Sequence, residues 1–368
     1  MSHDLDFSIS ETTFTKILDL KKKLGFDNKN WEQFFDYICS QDFFMESIHS
    51  DIEKIMKKIH YESFDEWIQN FAINLNNIWA EHSAKELVPN VEEIQQDQKK
   101  SSIVIGRGPS VKKHGHLELI ANSNYNGSII CCDGALIDTL KAGITPERFP
   151  KFYVVSIDPR DVITKYYNDP IVDKFGLKIN GIFSTLTYPS TVERARQAGI
   201  KIHWVHTLFD YQEGKKSFNK ISAMMVRAKN HINGLPAIQT GGNVGTSSWF
   251  VGWQILKCNT VAFIGINHGW NEDDPWKLIV THGREKLSLE IDESDPSVQN
   301  LFPRIYNPDF NCHCILDPTF QYYRTALIEF ISRSPSWLTT INATEGGSIF
   351  GDRIKCMTLE KFLEKNSN

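Results

Sequence analysis

From Ser102 onward the chain alternates short apolar runs with polar or helical stretches, and this alternation constrains the fold more than any other feature. The apolar runs have the length of strands: SIVIG, SIICCD, FYVVSID, INGIFST, KIHWVH and TVAFIGI. Strands that are apolar on both faces are typical of a parallel sheet covered by helices on both sides. The sequence therefore predicts an α/β fold with a doubly wound, Rossmann-like, mostly parallel sheet.

The first part of the chain has a different pattern. Glycine is nearly absent from it, and in FDEWIQNFAINLNNIWAEHSAKELV the apolar residues Phe64, Trp67, Ile68 and Phe71 recur at helical spacing. The polar stretch EEIQQDQKKSS, which lacks this periodicity, is typical of a connector. The sequence thus predicts a helical N-terminal region over residues 1–98 and a nucleotide-binding domain with C-terminal helices over residues 99–368.

Composition excludes several classes of protein. The formal net charge is −5, which disfavours bulk electrostatic capture of nucleic acid or acidic lipid. No apolar run approaches the roughly 20 residues of a membrane helix. The opening MSHDLDFSIS carries acids where a secretory signal has a basic and then an apolar segment. The chain has seven cysteines, an odd number that cannot all form pairs within the chain. We expect a cytoplasmic protein with free thiols and no membrane span.

The first strand ends in a turn of unusual composition, Gly106-Arg107-Gly108-Pro109-Ser110. Ligands of doubly wound sheets bind at the carboxyl ends of the strands. Glycine lets the backbone approach an anion closely, N–H groups entering a helix favour negative charge, and Arg107 adds a charged donor. The turn matches neither G-x-x-x-x-G-K-[ST] nor G-x-G-x-x-G. It predicts a phosphate site, and the alternative is a tight turn that starts a helix.

Two aspartates follow the next two strands. Asp133 ends SIICCD, and Asp158 ends FYVVSID and is followed by Pro159. Because parallel strands end at the same edge of a sheet, both carboxylates are expected on one rim near the glycine turn. There they could bind Mg²⁺ or a ribose hydroxyl. The alternative for each is a helix cap.

A second glycine-rich turn and a strand-end histidine complete the predicted cleft. IQTGGNVGTSSWF contains Gly241, Gly242, Asn243 and Thr246 before an apolar helix, and it predicts either a second ligand-binding turn or a helix capped by asparagine. Later the run TVAFIGI is followed by Asn267 and His268, which are expected to face the cleft. His268 has three open roles, namely general base, metal ligand and structural hydrogen-bonding group.

Taken in order, the motifs VIGRGPS, CCDGAL, GITPERF, VVSIDP, TGGNVGTSSWFVGWQILKCNTVAFIGIN and NATEGGSIFGD resemble the archaeal 6-hydroxymethylpterin diphosphokinase family, the MptE-like proteins. The resemblance covers roughly residues 65–352. The architecture is also similar to that of the glycosyltransferase-like flagellin-modification proteins with an accessory-factor domain. More distantly, it is similar to a sialyltransferase fold.

The resemblance implies a transferase that moves diphosphate from ATP to 6-hydroxymethyl-7,8-dihydropterin with Mg²⁺ and releases AMP. It implies that nucleotide phosphates are held by Gly106, Gly108, Pro109 and Ser110, and that Gly241, Gly242, Asn243 and Thr246 form the second turn. The composition of the first turn adds Arg107 or Lys112 as a charged donor to the phosphates. Asp133, Asp158 and His268 are the candidate catalytic residues, with Asp158 as the metal ligand. Asn267 departs from the family, which often has an acidic residue at this position.

Two other functions stay open at this level. One is a glycosyltransferase that uses a CMP-linked nonulosonic acid, with Asp133 or His268 as base. The other is a nucleotide-binding module without activity whose helical N-terminus docks a partner. In each case the ligands are small molecules, a nucleotide with a pterin or a sugar, and a homo-oligomer is compatible with the sequence.

Overall fold

The protein's structure is a computed structural model, which describes residues 11–23, 31, 64–90, 100–209, 212–213, 215–228, 234–282 and 301–367. Contacts divide the chain into two compact units, Met1–Ile55 and Met56–Asn368. Of the predicted helical region 1–98, only 11–23, 31 and 64–90 are described. The division precedes the boundary predicted after residue 98, and the helix Phe64–Ala80 belongs to the unit that contains the sheet.

Strands alternate with helices along the second unit. The described strands are, in chain order, β1 His82–Ser83, β2 Ser101–Ile105, β3 Ser128–Cys132, β4 Phe152–Ser156, β5 Asn180–Ser184, β6 Lys201–Thr207, β7 Gln212–Glu213, β8 Lys216–Ser217, β9 Ala237–Ile238, β10 Thr260–Ile264, β11 Trp270–Asn271, β12 Arg304–Asn307, β13 Cys312–Ile315, β14 Thr339–Asn342 and β15 Ile354–Cys356. The described α-helices are α1 Glu11–Lys23, α2 Phe64–Ala80, α3 Ser110–Lys113, α4 His116–Asn122, α5 Leu136–Lys141, α6 Pro170–Phe175, α7 Pro189–Gln197, α8 Phe218–Arg227, α9 Val244–Phe250, α10 Trp276–Val280, α11 Pro318–Ser332 and α12 Leu359–Asn366.

The main sheet has ten strands in the order β1-β6-β5-β4-β3-β2-β10-β14-β15, with β9 paired to β6. Every pairing in it is parallel. A separate antiparallel sheet joins β11, β13 and β12, and β7 pairs with β8. The predicted doubly wound, Rossmann-like parallel sheet is confirmed.

Both faces of the central strands are covered, which explains the apolar runs in their sequences. All five residues of β2 are buried. Alternate side chains of this strand enter different cores, because Ile103 and Ile105 belong to one cluster whereas Val104 belongs to the other. A strand with this two-sided burial has no solvent face on which polar residues would be favoured.

The chain changes direction across the sheet beside β2. From β2 it proceeds outward through β3, β4, β5 and β6, and it later returns to place β10 on the opposite side of β2. The carboxyl ends of β2 and β10 therefore flank a topological switch point, and ligands of doubly wound sheets bind in the crevice at such a point.

Helix α2 is bound to the carboxyl edge of the sheet by two buried asparagines. The side-chain amide of Asn70 donates to the carbonyl of Pro159 at 2.8 Å, and that of Asn74 donates to the carbonyl of Thr187 at 2.8 Å. These two acceptors lie in the loops that follow β4 and β5, so α2 orders the loop that carries Asp158. In the described part of the chain, no helix combines the length and the apolar character needed to cross a bilayer.

Candidate functional site

The turn after β2 lies directly against the loop after β10, at the switch point. The backbone N–H of Gly106 donates to the carbonyl of Ile264, and that of Gly108 donates to the carbonyl of Gly265, each at 2.8 Å. A Cβ on residue 108 would lie 2.7 Å from the Gly265 oxygen, so only glycine permits this approach. The two amides predicted to bind phosphate are thus already engaged within the protein, and the glycines serve a close backbone contact.

Ser110 and Asn267 form the second contact between these loops. The Ser110 hydroxyl donates to Oδ1 of Asn267 at 2.9 Å, and both side chains are buried. Pro109 precedes the short helix α3 with φ −60°, so the turn does start a helix as the alternative interpretation held. The sequence assigned Ser110 and Asn267 to one cleft, and the structure brings them into direct contact.

Arg107 connects this turn to the neighbouring strand ends. Its side chain packs on Gly134, where an added Cβ would lie only 2.9 Å from the Cδ of Arg107. Its guanidinium group donates a hydrogen bond to the hydroxyl of Tyr166. The Arg107 side chain is exposed, so its positive charge at the carboxyl ends of β2 and β3 is accessible to solvent.

Asp133 lies at the end of β3 and is 4% exposed. Its Oδ2 accepts a 2.8 Å hydrogen bond from the Ser156 hydroxyl, and its Oδ1 accepts a 2.7 Å hydrogen bond from the N–H of Gly134. Burial raises the pKa of this carboxyl to about 6, the two hydrogen bonds and Arg107 oppose the shift, and the nearby charge of Asp158 adds to it. The pKa of Asp133 therefore lies well above that of an ordinary aspartate.

Asp158 follows β4 and is paired with a cation of its own loop. Arg160 donates from Nε to Oδ1 at 2.9 Å and from a terminal nitrogen to Oδ2 at 2.6 Å, and the backbone N–H of residue 160 donates to the same carboxylate at 3.0 Å. This hydrogen bonding raises the pKa of Arg160, although burial opposes it. The side chain of Asp158 is 22% exposed, so solvent and ligands reach it.

The second glycine turn is a capped helix start that touches α11. Oδ1 of Asn243 accepts from the N–H of Thr246 at 2.8 Å, and its side-chain amide donates to the Thr246 hydroxyl at 3.0 Å. Gly241 and Gly242 have φ 53° and 82°, and a Cβ on Gly242 would lie 2.7 Å from the ring of Tyr323. The asparagine cap is the structural alternative that the sequence left open, and ligand contact at this turn stays a prediction.

His268 follows β10 in a left-handed conformation, with φ 43°, and is 5% exposed. Its Nδ1 is buried, and none of the described residues forms a hydrogen bond with it. Burial lowers the pKa of the imidazole to about 3, and the charges of Arg324 and His282 contribute. The ring is consequently neutral near pH 7, which favours a hydrogen-bonding role over that of a general base.

Sequence analysis missed the side of the site that is contributed by α11 and the loop after β14. The Ser348 N–H donates to the carbonyl of Asn267 at 2.9 Å, and its hydroxyl donates to the carbonyl of His268 at 2.6 Å. Arg324, in the middle of α11, donates from Nε to the carbonyl of Ser348 at 2.8 Å. The motif NATEGGS indicated a turn near Ser348, whereas no local signal singled out Arg324.

A metal role at this rim depends on few protein ligands. Among the described residues, no three His, Cys, Asp or Glu side chains are grouped so that they could hold a metal ion. Mg²⁺ is commonly bound by one or two carboxylates together with substrate phosphates and water, so the partly exposed carboxylate of Asp158 is compatible with it.

Comparison with known proteins agrees with the motif resemblance. Residues 69–273 match the family described as 6-hydroxymethylpterin diphosphokinase MptE-like, which is more than half of the 368 residues. The chain is also similar to the structure of MAf glycosyltransferase from Magnetospirillum magneticum AMB-1, with 15% identity and a TM-score of 0.48 over 70% of this chain. It spans 33% of that protein. No curated protein matches the sequence.

Proposed function

The chain belongs to the 6-hydroxymethylpterin diphosphokinase MptE-like family, and we propose that it transfers the β,γ-diphosphate of ATP to the hydroxymethyl oxygen of 6-hydroxymethyl-7,8-dihydropterin. The observation that carries the proposal is the position of Asp133. This buried carboxylate, with its pKa raised to about 6, lies beside the switch point where doubly wound sheets bind their ligands.

In the proposed reaction Asp133 accepts the proton of the hydroxymethyl group. The oxygen then forms a bond to the β-phosphorus of ATP, the bond from that phosphorus to the oxygen bridging to the α-phosphorus breaks, and AMP leaves with the electron pair of the broken bond. A general base works best when its pKa is near the working pH. Enough of it is then ionised to accept a proton, and it is a stronger base than an ordinary carboxylate. The hydrogen bonds from Ser156 and Gly134 hold the carboxylate in place during this transfer.

Residues at the exposed edge of the site would stabilise the negative charge of the diphosphate. Arg107 is free to turn from Tyr166 toward a phosphate, because its side chain is exposed. Asp158 would hold Mg²⁺ together with phosphate oxygens of ATP, and the ion would supply positive charge to the group that is transferred. Mg²⁺ would then take the place of the Arg160 guanidinium on the Asp158 carboxylate, which is 22% exposed.

The test is AMP release from ATP, measured with and without the pterin alcohol and with and without Mg²⁺. We expect AMP only when both are present, and we expect none with the 6-methyl pterin, which lacks the accepting hydroxyl. If ATP stays intact with the complete mixture, the proposal is wrong. In that case a rise in melting temperature with CMP or a CMP-linked sugar, but not with ATP, would favour a glycosyltransferase instead.

A further inference from the structure

Arg324 is a partly buried cation in the middle of α11. Its Nε donates to the Ser348 carbonyl at 2.8 Å, and its guanidinium carbon lies 5.3 Å from the centre of the Phe350 ring. These contacts fix one edge of the guanidinium group. They leave the donors of its two terminal nitrogens without a protein acceptor among the described residues.

No carboxylate of the described residues forms an ion pair with Arg324. The thiol of Cys314 lies close enough to Arg324 to influence its pKa. Burial raises the pKa of this thiol to about 12, so it is uncharged near pH 7. Buried cations are normally paired, because burial removes their hydration. The more exposed Arg333, which directly follows α11, shows the usual pattern and pairs with Glu329 at 2.7 Å.

A second unpartnered group lies next to Arg324. His268 is near enough for the charge of Arg324 to lower its pKa, and its buried Nδ1 has no hydrogen-bond partner in the described part of the chain. Both residues are tied to Ser348, which accepts from Arg324 and donates to the carbonyl of His268. Nδ1 of His268 is fully buried, whereas the terminal nitrogens of Arg324 are not among the buried unpartnered atoms of the described residues and are therefore open to water. A polar ligand that replaced this water would reach both groups.

This pair lies at the rim of the crevice. Ser348 also donates to the carbonyl of Asn267, and Asn267 accepts the hydrogen bond from Ser110. A continuous set of hydrogen bonds thus joins Arg324 to the turn after β2.

We propose that Arg324 binds a phosphate group of the ligand through its terminal guanidinium nitrogens, while Nε stays on the Ser348 carbonyl and the neutral imidazole of His268 adds a hydrogen bond. Planar guanidinium groups bind phosphate oxygens in pairs, which a single ammonium group does not reproduce. The identification of this phosphate with the diphosphate of ATP rests on the proposed function, whereas the anion site itself does not.

The test measures binding of inorganic diphosphate by calorimetry, without pterin. We expect the variant Arg324→Gln to bind it about 10- to 100-fold more weakly than the unchanged protein, and Arg324→Lys to lose part of the affinity. Arg333→Gln removes an exposed charge just after the C-terminal end of the same helix, and this variant is expected to bind diphosphate like the unchanged protein. Melting curves check that each variant is folded.

A measurement on the unchanged protein covers the case in which Arg324→Gln does not fold. Phenylglyoxal modifies arginine, and diphosphate is expected to protect Arg324 but not Arg333, as read by mass spectrometry of peptides. The assignment is overturned if the unchanged protein does not bind diphosphate, if Arg324→Gln binds it equally well, or if Arg324 is not protected.

The two proposals can be separated by their outcomes. Diphosphate binding that depends on Arg324, without pterin-dependent AMP release, supports the anion site and contradicts the diphosphokinase. Pterin-dependent AMP release that is unchanged in Arg324→Gln supports the diphosphokinase and contradicts the anion site.

Discussion

The hydroxyl of Ser110 donates a 2.9 Å hydrogen bond to the side-chain oxygen of Asn267, across 157 positions of the sequence. It holds the turn after β2 against the loop after β10, at the point where the strand order reverses. Because both side chains are buried, neither has water as a substitute partner.

We therefore expect Ser110→Ala to lower the free energy of unfolding by about 1–3 kcal/mol, since it leaves the Asn267 oxygen buried without this donor. In a double-mutant cycle with Asn267→Ala, the coupling energy should be about 1 kcal/mol. Urea unfolding measures the stability of each variant. The control Ser332→Ala, at the exposed end of α11, should change the free energy of unfolding by less than about 0.5 kcal/mol. Strictly additive effects of the two substitutions would contradict the contact.

Asp133 should reduce stability while it supports activity. Its pKa is raised from 3.8 to about 6, so the folded state binds more protons than the unfolded state between these values and stability falls as pH rises through this window. At pH 7.5 Asp133→Asn should therefore raise the free energy of unfolding by on the order of 1–3 kcal/mol, and below pH 4 the gain should disappear.

The same variant should lower pterin-dependent AMP release by about 100-fold or more, because asparagine cannot accept the proton. The exposed Asp138, on α5, offers the matched change Asp138→Asn, which should leave stability within about 0.5 kcal/mol and activity unchanged. Retention of full activity in Asp133→Asn would show that the base lies elsewhere.

Asp158→Asn tests the predicted Mg²⁺ ligand. Its ion pair with Arg160 is partly exposed, so loss of the charge should cost only about 0–1 kcal/mol of stability. AMP release, titrated against Mg²⁺ concentration, should nevertheless fall by about 100-fold or require far more Mg²⁺. Asp161→Asn, three residues further on and exposed, is the control. A Mg²⁺ titration of Asp158→Asn that overlays that of the unchanged protein would remove Asp158 from the metal site.

His268 should make the protein sensitive to acid. Its pKa falls from 6.5 to about 3 on folding, so the unfolded chain binds an extra proton between these values and stability declines as pH drops below 6.5. The variant His268→Asn keeps a residue that suits the left-handed backbone at this position. Between pH 6.5 and pH 5.5 its free energy of unfolding should fall by about 1 kcal/mol less than that of the unchanged protein. Urea unfolding checks this, and parallel pH dependences of the two proteins in that interval would argue against a buried neutral imidazole.

Much of the sheet could be predicted because strands that are buried on both faces contain continuous apolar runs. In β2, Ile103 and Val104 enter opposite cores, which explains the apolar run at the end of this strand. Helix α2 shows where such prediction ends. Its apolar spacing predicted a helix, but its attachment to the sheet edge depends on Asn70 and Asn74, and isolated asparagines in a helix carry no signal of distant carbonyl acceptors.

The predicted site residues divide in the same way. Asp133 and Asp158 were placed on one rim because parallel strands end together, and the charge of Asp158 indeed reaches Asp133. The amides of Gly106 and Gly108 were assigned to phosphate, yet they donate to the loop after β10. That loop became their neighbour only through strand order, which the composition of the turn does not encode.

The sequence by itself determined which segments become strands and helices, and that polar residues and glycines gather at the carboxyl ends, since burial and turn geometry act on neighbouring residues. Only the tertiary structure decided that β10 lies beside β2, that Asn267 receives the Ser110 hydroxyl, and that Arg324 stands near His268 with no carboxylate of the described residues paired to it. These relationships join residues far apart in the chain, and they follow from how the whole sheet packs, which no local pattern specifies.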